Sequence, residues 1–245
     1  MLRENVVTVN MLEAMIPRIL STVAANAQSV AELAVTLAVT LMKDVGILSE
    51  MVKAGGWPKT KYVGRDLGGA KFGLVGFGEI GRRTAKLALG LGMETLAYDP
   101  FAEGLDGTPV TRDLDAVLAQ SDIVSLHCPL SPETHRLMNK QHLNVMKPSA
   151  FLVNTARGAV VDEDALLEAL LNGTIAGAAL DSFEQEPPRQ NHPFWGLTNL
   201  IATPHVGGAS QSALRNMAVQ SASHIINVLE DKPFDRRAMA NRLSA

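Results

Sequence analysis

Residues 73–81 read Gly-Leu-Val-Gly-Phe-Gly-Glu-Ile-Gly, and they decide the fold. Gly76, Gly78 and Gly81 form a G-x-G-x-x-G turn between the apolar run Phe72–Val75 and a helical stretch, Ile80–Leu91. The first glycine permits the tight turn, the second lets the backbone approach a pyrophosphate, and the third lets the helix pack closely on the strand. The helix start then offers free N–H groups and a positive dipole end to phosphates. Asp99 closes the next strand, 18 residues after Gly81. An acid there accepts hydrogen bonds from the adenosine ribose hydroxyls and repels a 2′-phosphate, which favours NAD over NADP. The same turn also occurs in doubly wound domains without a ligand. The strand, helix and acid around it argue for the ligand.

Outward from this turn, short apolar runs recur at Phe72–Val75, Glu94–Tyr98, Asp122–Leu126, Ala150–Asn154, Ala176–Leu180 and Leu200–Ala202. Helical stretches lie between several of them, at Ile80–Leu91, Asp113–Ala119 and Asp162–Leu171, with Gly173 as a stop signal for the last. This alternation predicts a Rossmann-type α/β fold: a doubly wound parallel sheet with helices on both faces. Before the sheet, Ser29 and Glu32 have capping-box spacing. Val30, Leu33, Ala34, Leu37, Leu41, Val45, Leu48 and Val52 follow at helical spacing, so one long helix is expected over 29–55, ended by Gly55-Gly56. A last helix is expected over Ser210–Leu229, and the polar tail from Phe234 reads as loose. The expected division is a remnant at 1–22, a cofactor domain at 23–232 and a tail at 233–245.

The chain has 245 residues, 47% of them hydrophobic and 19% charged, enough for a large core and unlike a disordered chain. A net charge of −3 leaves no basic surplus for nucleic-acid backbones. No apolar run reaches the roughly 18 residues that span a bilayer. Ala25-Asn26-Ala27 resembles a signal-peptidase site, but Glu4, Glu13, Pro17 and Arg18 interrupt what precedes it. A single cysteine, Cys128, excludes an internal disulfide and a thiolate zinc cluster and fits a reducing, cytoplasmic setting. No metal site is expected.

Three more segments end apolar runs, where ligand crevices of open α/β sheets lie. Arg157, in Asn154-Thr155-Ala156-Arg157-Gly158, can present a planar fork to a carboxylate, or can be a surface residue paired with Asp162 or Glu163. Asp181 to Pro188 and Ala202 to Gly208 supply carboxylates and His205. A carboxylate beside an imidazole orients it and favours its cation, although a lone histidine after proline is more often a turn residue. His135, His142, His192 and His224 are expected at the surface, and the ten methionines read as core filler.

Together these motifs resemble the NAD-dependent D-2-hydroxyacid dehydrogenases, in order and spacing over about residues 16–232. The matching pieces are Asn26 to Glu32, the 73–81 turn, Tyr98-Asp99-Pro100, His127-Cys128-Pro129-Leu130 with Thr134, Asn154 to Gly158, Asp181 to Pro187 and Pro204 to Gly208. The resemblance implies that Arg157 grips the substrate's carboxylate and carbonyl oxygen, that His205 is the acid–base residue and that Glu186 is its partner. It implies a cofactor surface of Gly76, Gly78, Glu79, Ile80, Gly81, Asp99, His127, Cys128, Pro129, Thr134, Asn154, Thr155, Ala156, Arg157, Asp181, His205 and Gly207. Within it, Asp181 would hold the nicotinamide carboxamide.

The family's second, flavodoxin-like domain of roughly 100 residues is largely absent from this sequence. The nearest stretch to its glycine-containing loop, Val6–Asn10, has no glycine. Two readings follow: a dehydrogenase acting on a small 2-hydroxy or 2-keto acid, supported by the complete acid–base set, or a catalytically silent NAD-binding dimeric scaffold or redox sensor. The apolar helix at 30–52 is a candidate homodimer surface, since in the family its equivalent pairs two cofactor domains. From the pattern alone it can equally pack on the sheet.

Overall fold

The computed structural model describes residues 22, 24–104, 107–230, 232, 233 and 238. The expected remnant at 1–22 and tail at 233–245 therefore fall almost wholly outside the described residues. Residues Ala27–Ser210 form one compact unit. It holds α1 (Ala27–Met42), α2 (Val45–Lys53), β1 (Lys71–Val75), α3 (Glu79–Gly90), β2 (Glu94–Tyr98), β3 (Val110–Thr111) and α4 (Leu114–Gln120). There follow β4 (Ile123–Leu126), α5 (Lys140–Val145), β5 (Phe151–Asn154), α6 (Glu163–Asn172), β6 (Gly177–Leu180) and β7 (Leu200–Ala202). Helix α7 (Gln211–Leu229) belongs to a second unit.

The seven strands form one parallel sheet in the order β3-β2-β1-β4-β5-β6-β7. The order reverses between β1 and β4, and such a switch point opens a crevice at the carboxyl ends of the strands. Alternate residues of each strand serve opposite faces. Phe72, Leu74, Ile123, Val153 and Ala179 join a core with α1 and α3. Val75, Val124, Leu126, Leu152 and Leu180 join another with α4, α5 and α6. This two-sided burial is why the strands read as continuous apolar runs. Side-chain caps start the helices where the sequence places Asp: Asp113 accepts from the Ala116 N–H at 3.0 Å, and Asp162 from the Ala165 N–H at 3.2 Å. Gly173 ends α6 at φ 68°.

The expected long helix is two helices. It already runs from Ala27, so Ser29 is not its cap, and Glu32 accepts instead from the Gln28 amide at 2.9 Å. It breaks at Asp44, which has φ 49°. The Lys43 carbonyl freed by the break accepts from the Tyr62 hydroxyl at 2.9 Å. Val30, Ala34, Leu37 and Leu41 in α1 are buried, whereas Val45 and Val52 in α2 are 53% and 46% exposed. The apolar spacing continues through the break, but the direction does not, so the second half leaves the sheet. Strand β3 and helix α5 were not expected. Two and six residues long, they carry too few positions for a period to show. The Asn139 side chain starts α5 by accepting from the His142 N–H at 3.1 Å.

Candidate active site

The glycine turn lies at the switch point. Gly76 has φ 98°, and a Cβ there would fall 2.7 Å from the Cys128 nitrogen. A Cβ on Gly81 would fall 2.3 Å from the Gly76 carbonyl oxygen. Gly78 opens onto free space. Two glycines are therefore required by the protein's own packing, and the third leaves room beside the start of α3, where Glu79 and Ile80 are the first helical residues. That open cradle fits a dinucleotide pyrophosphate. Asp99 braces the turn. Its Oδ2 accepts from the Phe77 N–H at 2.8 Å, and its Oδ1 from the Phe101 and Ala102 N–H groups at 2.8 and 2.9 Å. Burial pushes its pKa up, but these donors and the Arg82 charge outweigh burial and hold it below the usual carboxylate range. A carboxylate has about four acceptor sites, so one on Oδ2 remains for a ribose hydroxyl.

The loop after β4 forms the other side of the crevice. The His127 N–H donates to the Val75 carbonyl at 2.7 Å. The Thr134 hydroxyl donates to the Pro129 carbonyl at 2.6 Å and so fixes the loop. The two ring nitrogens of His127 are buried without hydrogen-bond partners. Burial pushes the ring's pKa down to about 3. Burial pushes the Cys128 thiol up to about 11, so it is not a nucleophile at neutral pH.

Arg157 follows β5 on a turn tied by Asn154. The Asn154 amide donates to the Arg157 carbonyl at 2.9 Å and its oxygen accepts from the Ala156 N–H at 3.0 Å; Thr155 and Ala156 lie buried in the turn. The surface-pair alternative for Arg157 is not what forms: Asp162 faces Arg136 at 3.5 Å and Glu163 faces His192 at 3.2 Å. The exposed guanidinium donates to the Ala156 carbonyl at 2.7 Å and acts electrostatically on Glu186.

Two carboxylates after β6 do different work. Asp181 is 1% exposed. It accepts from the Thr203 hydroxyl at 2.6 Å and from the Val206 and Gly207 N–H groups at 2.9 and 2.8 Å. It thereby holds the loop in which His205 sits at φ 54°, a left-handed conformation that costs about 1–3 kcal/mol for such a residue. Gly207 lies so close that a Cβ would be 3.1 Å from Asp181 Oδ2. Glu186 turns outward. Its Oε2 lies 2.7 Å from His205 Nδ1, and its Oε1 accepts from the Phe183 N–H at 3.0 Å. Burial pushes its pKa up, but the His205 hydrogen bond, the Phe183 N–H and the charges of His205 and Arg157 bring it below the ordinary value. An ionised carboxylate only accepts, so Nδ1 carries the proton. A cavity of about 420 Å³ lined by Phe183, Pro187, Trp195 and Pro204 adjoins this pair.

His192, expected at the surface, has a side chain only 14% exposed and pairs with Glu163. The sequence signal was slight: a histidine before Pro193, far in sequence from its carboxylate. His142 and the Nδ1 of His224 are also partly enclosed, at variance with expectation. Among the described residues no cluster of three or more His, Cys, Asp or Glu side chains could hold a metal ion. No helix among them is long and apolar enough to cross a membrane.

The parallel sheet, its switch point and the open glycine cradle define an NAD-binding doubly wound domain. The model for "D-isomer specific 2-hydroxyacid dehydrogenase, NAD binding domain" matches residues 35–207, and the chain belongs to that family. It is 38% identical over 214 residues to a hydroxypyruvate reductase of Thermotoga maritima, covering 86% of this chain and 70% of that protein. It is 40% identical over 213 residues to a glycerate dehydrogenase of Methylorubrum extorquens, covering 84% and 66%. A D-lactate dehydrogenase of Aquifex aeolicus, solved with NAD and lactic acid, superposes with a TM-score of 0.78 at 31% identity, over 85% of this chain and 68% of that one. The chain thus spans about two thirds of the length of these relatives.

Proposed function

We propose that this chain carries the cofactor and acid–base half of a site that interconverts a D-2-hydroxy acid and its 2-keto acid. The observation that carries the reading is the 2.7 Å Glu186–His205 pair, within electrostatic reach of Arg157, on the same sheet edge as the glycine cradle. NAD, when bound, supplies or accepts the hydride. In the reducing direction negative charge develops on the substrate's carbonyl oxygen. Arg157 would grip the carboxylate and that oxygen with its planar fork, and His205 would donate its Nε2 proton as the charge appears. Glu186 keeps the proton on Nδ1 and stabilises the cation, so it acts through His205. In the reverse direction Nε2 accepts the hydroxyl proton. Asp99, by its charge, selects NAD over a cofactor with a 2′-phosphate.

The compartment is proposed as cytoplasmic, on the single free cysteine. The oligomer is proposed as a homodimer. Helix α2 and the connector after it expose Val45, Ile47, Met51, Val52 and Trp57 beside a cavity of about 500 Å³ at the amino ends of the strands. Helix α1 is already covered by the sheet, so of the stretch 30–52 it is the α2 part that is exposed for this role. Sedimentation as a clean monomer counts against it.

The deciding experiment follows NADH oxidation with a panel of 2-keto acids, beside Arg157→Ala. Turnover lost in the variant supports the enzyme. NADH binding without turnover by wild type counts against an enzyme in this chain by itself and favours a fragment or a silent NAD-binding scaffold.

A further inference from the structure

We propose that Glu163 is a positioning residue for the acid–base pair, acting from the start of α6 through the 183–186 turn; this rests on the proposed hydride-transfer site. Glu163, its side chain 14% exposed, makes two contacts with its largely buried carboxylate. Oε1 accepts from the Glu184 N–H at 2.7 Å, and Oε2 lies 3.2 Å from His192 Nε2. The adjacent backbone donor, the Phe183 N–H, goes to Glu186 Oε1 at 3.0 Å. Neighbouring N–H groups of one turn are thus held by two carboxylates, one fixed on α6 and one reaching His205. Moving the 183–184 peptide moves Glu186.

The surroundings of its partners make Glu163 an anchor rather than a surface acid. His192 Nδ1 accepts from the Phe194 N–H at 3.4 Å, so in the neutral ring Nε2 carries the proton and donates to Glu163. The imidazole is boxed among Phe183, Phe194 and Trp195 at centroid distances of 6.2, 4.8 and 5.3 Å. Arg136 ties the same two segments by pairing with Asp162 at 3.5 Å and Glu184 at 3.2 Å. The turn also lies flat on Gly158, where a Cβ would fall 1.9 Å from the Phe183 carbonyl carbon. Gly158 directly follows Arg157, so the substrate-gripping arginine and the carboxylate partner of His205 are referenced to one short segment. Position matters at this scale, because small misplacements of reacting groups cost large factors in rate.

The test compares wild type with Glu163→Ala, Glu163→Gln and His192→Leu. Pairing is read without turnover from the low-field proton signal of the His205 Nδ1–H, assigned by its loss in His205→Gln. Glu163→Ala is expected to abolish or shift that signal, to lower kcat about 10-fold to 100-fold, and to leave the NADH dissociation constant unchanged. Glu163→Gln can still accept from the Glu184 N–H but points an amide donor at His192 Nε2–H, so its effect should be smaller. His192→Leu keeps the Glu184 contact and should lie between wild type and Glu163→Ala. A folded Glu163→Ala with unchanged His205 signal and unchanged kcat overturns the proposal. If Glu163→Ala does not fold, unchanged signals in both other variants overturn it. If wild type turns over no 2-keto acid, the hydride-transfer reading fails for this chain by itself, while the His205 signal still decides the positioning role.

Discussion

The carboxyl edge of the sheet is built in two ways. Around β1, β2 and β4 the backbone does the work: glycines open a cradle, and Asp99 and Thr134 hold loops through N–H and C=O groups. Around β5, β6 and β7 side chains do it: Asp181 holds a strained loop, Glu186 faces His205 and Arg157 stands free of other acids at its turn. Backbone recognition is set locally, by a few consecutive residues. Side-chain chemistry is assembled from residues tens of positions apart.

The comparison is broken most sharply on the side-chain half. His205→Gln removes the proposed proton donor while the Asp181 loop contacts, made through Val206 and Gly207, remain. General acid–base groups contribute about 10²–10⁴-fold, so kcat should fall by that order while NADH affinity stays within a few-fold. An equal loss of both would mean that His205 holds cofactor rather than moving a proton.

His127 tests the other half. Its pKa is pushed down to about 3 by burial, so the unfolded chain takes up the proton first. Its contribution is complete above about pH 6.5 and declines as pH falls from there toward 3. Between pH 6.5 and 4.5 this amounts to about 2–3 kcal/mol of lost stability. His127→Leu should flatten the stability profile in that window, and at pH 8 should cost little, since it removes an unpartnered polar group. An unchanged acid slope sinks the assignment.

Gly78→Val sharpens the contrast between fold and ligand. A Cβ at Gly78 meets nothing within 4 Å, unlike one at Gly76 or Gly81. The variant should keep its Tm within a few degrees and lose NADH affinity at least about tenfold, or 1.4 kcal/mol. Unaltered affinity would remove the cofactor from this turn.

This same division explains what the sequence could reveal. The glycine spacing, Asp99 and the strand–helix alternation are local signals, and the parallel sheet followed from them. Helix α2 was misread because spacing records a period and not a change of axis at Asp44. Glu186 and His205 gained meaning through resemblance, since no local rule pairs residues 19 apart. The Glu163–His192 contact spans 29 residues and gave only a slight sign, the histidine before Pro193, so His192 passed for a surface residue. That the His127 ring nitrogens are buried depends on tertiary packing, which no single segment encodes.

The smallest effect is expected at the amino edge of the sheet, where charge serves the scaffold alone. Asp122 Oδ2 accepts from the Lys71 N–H at 2.9 Å, and Oδ1 meets Lys147 at 2.7 Å. Burial raises its pKa, but the Lys147 hydrogen bond, the Lys71 N–H and the charges of Lys147 and Arg65 lower it below the ordinary value. A carboxyl depressed on folding stabilises above its unfolded value, near 4, and loses that contribution as pH falls through the folded value. Asp122→Asn keeps an acceptor for Lys71 and drops the charge. It should cost up to about 1 kcal/mol at pH 7, the range of partly exposed pairs. The difference from wild type should shrink with added salt and vanish in acid, when both side chains are neutral. NADH affinity should not change, because this edge is opposite the crevice. A cost that persists in acid would assign the loss to packing or to the Lys71 hydrogen bond instead of to charge.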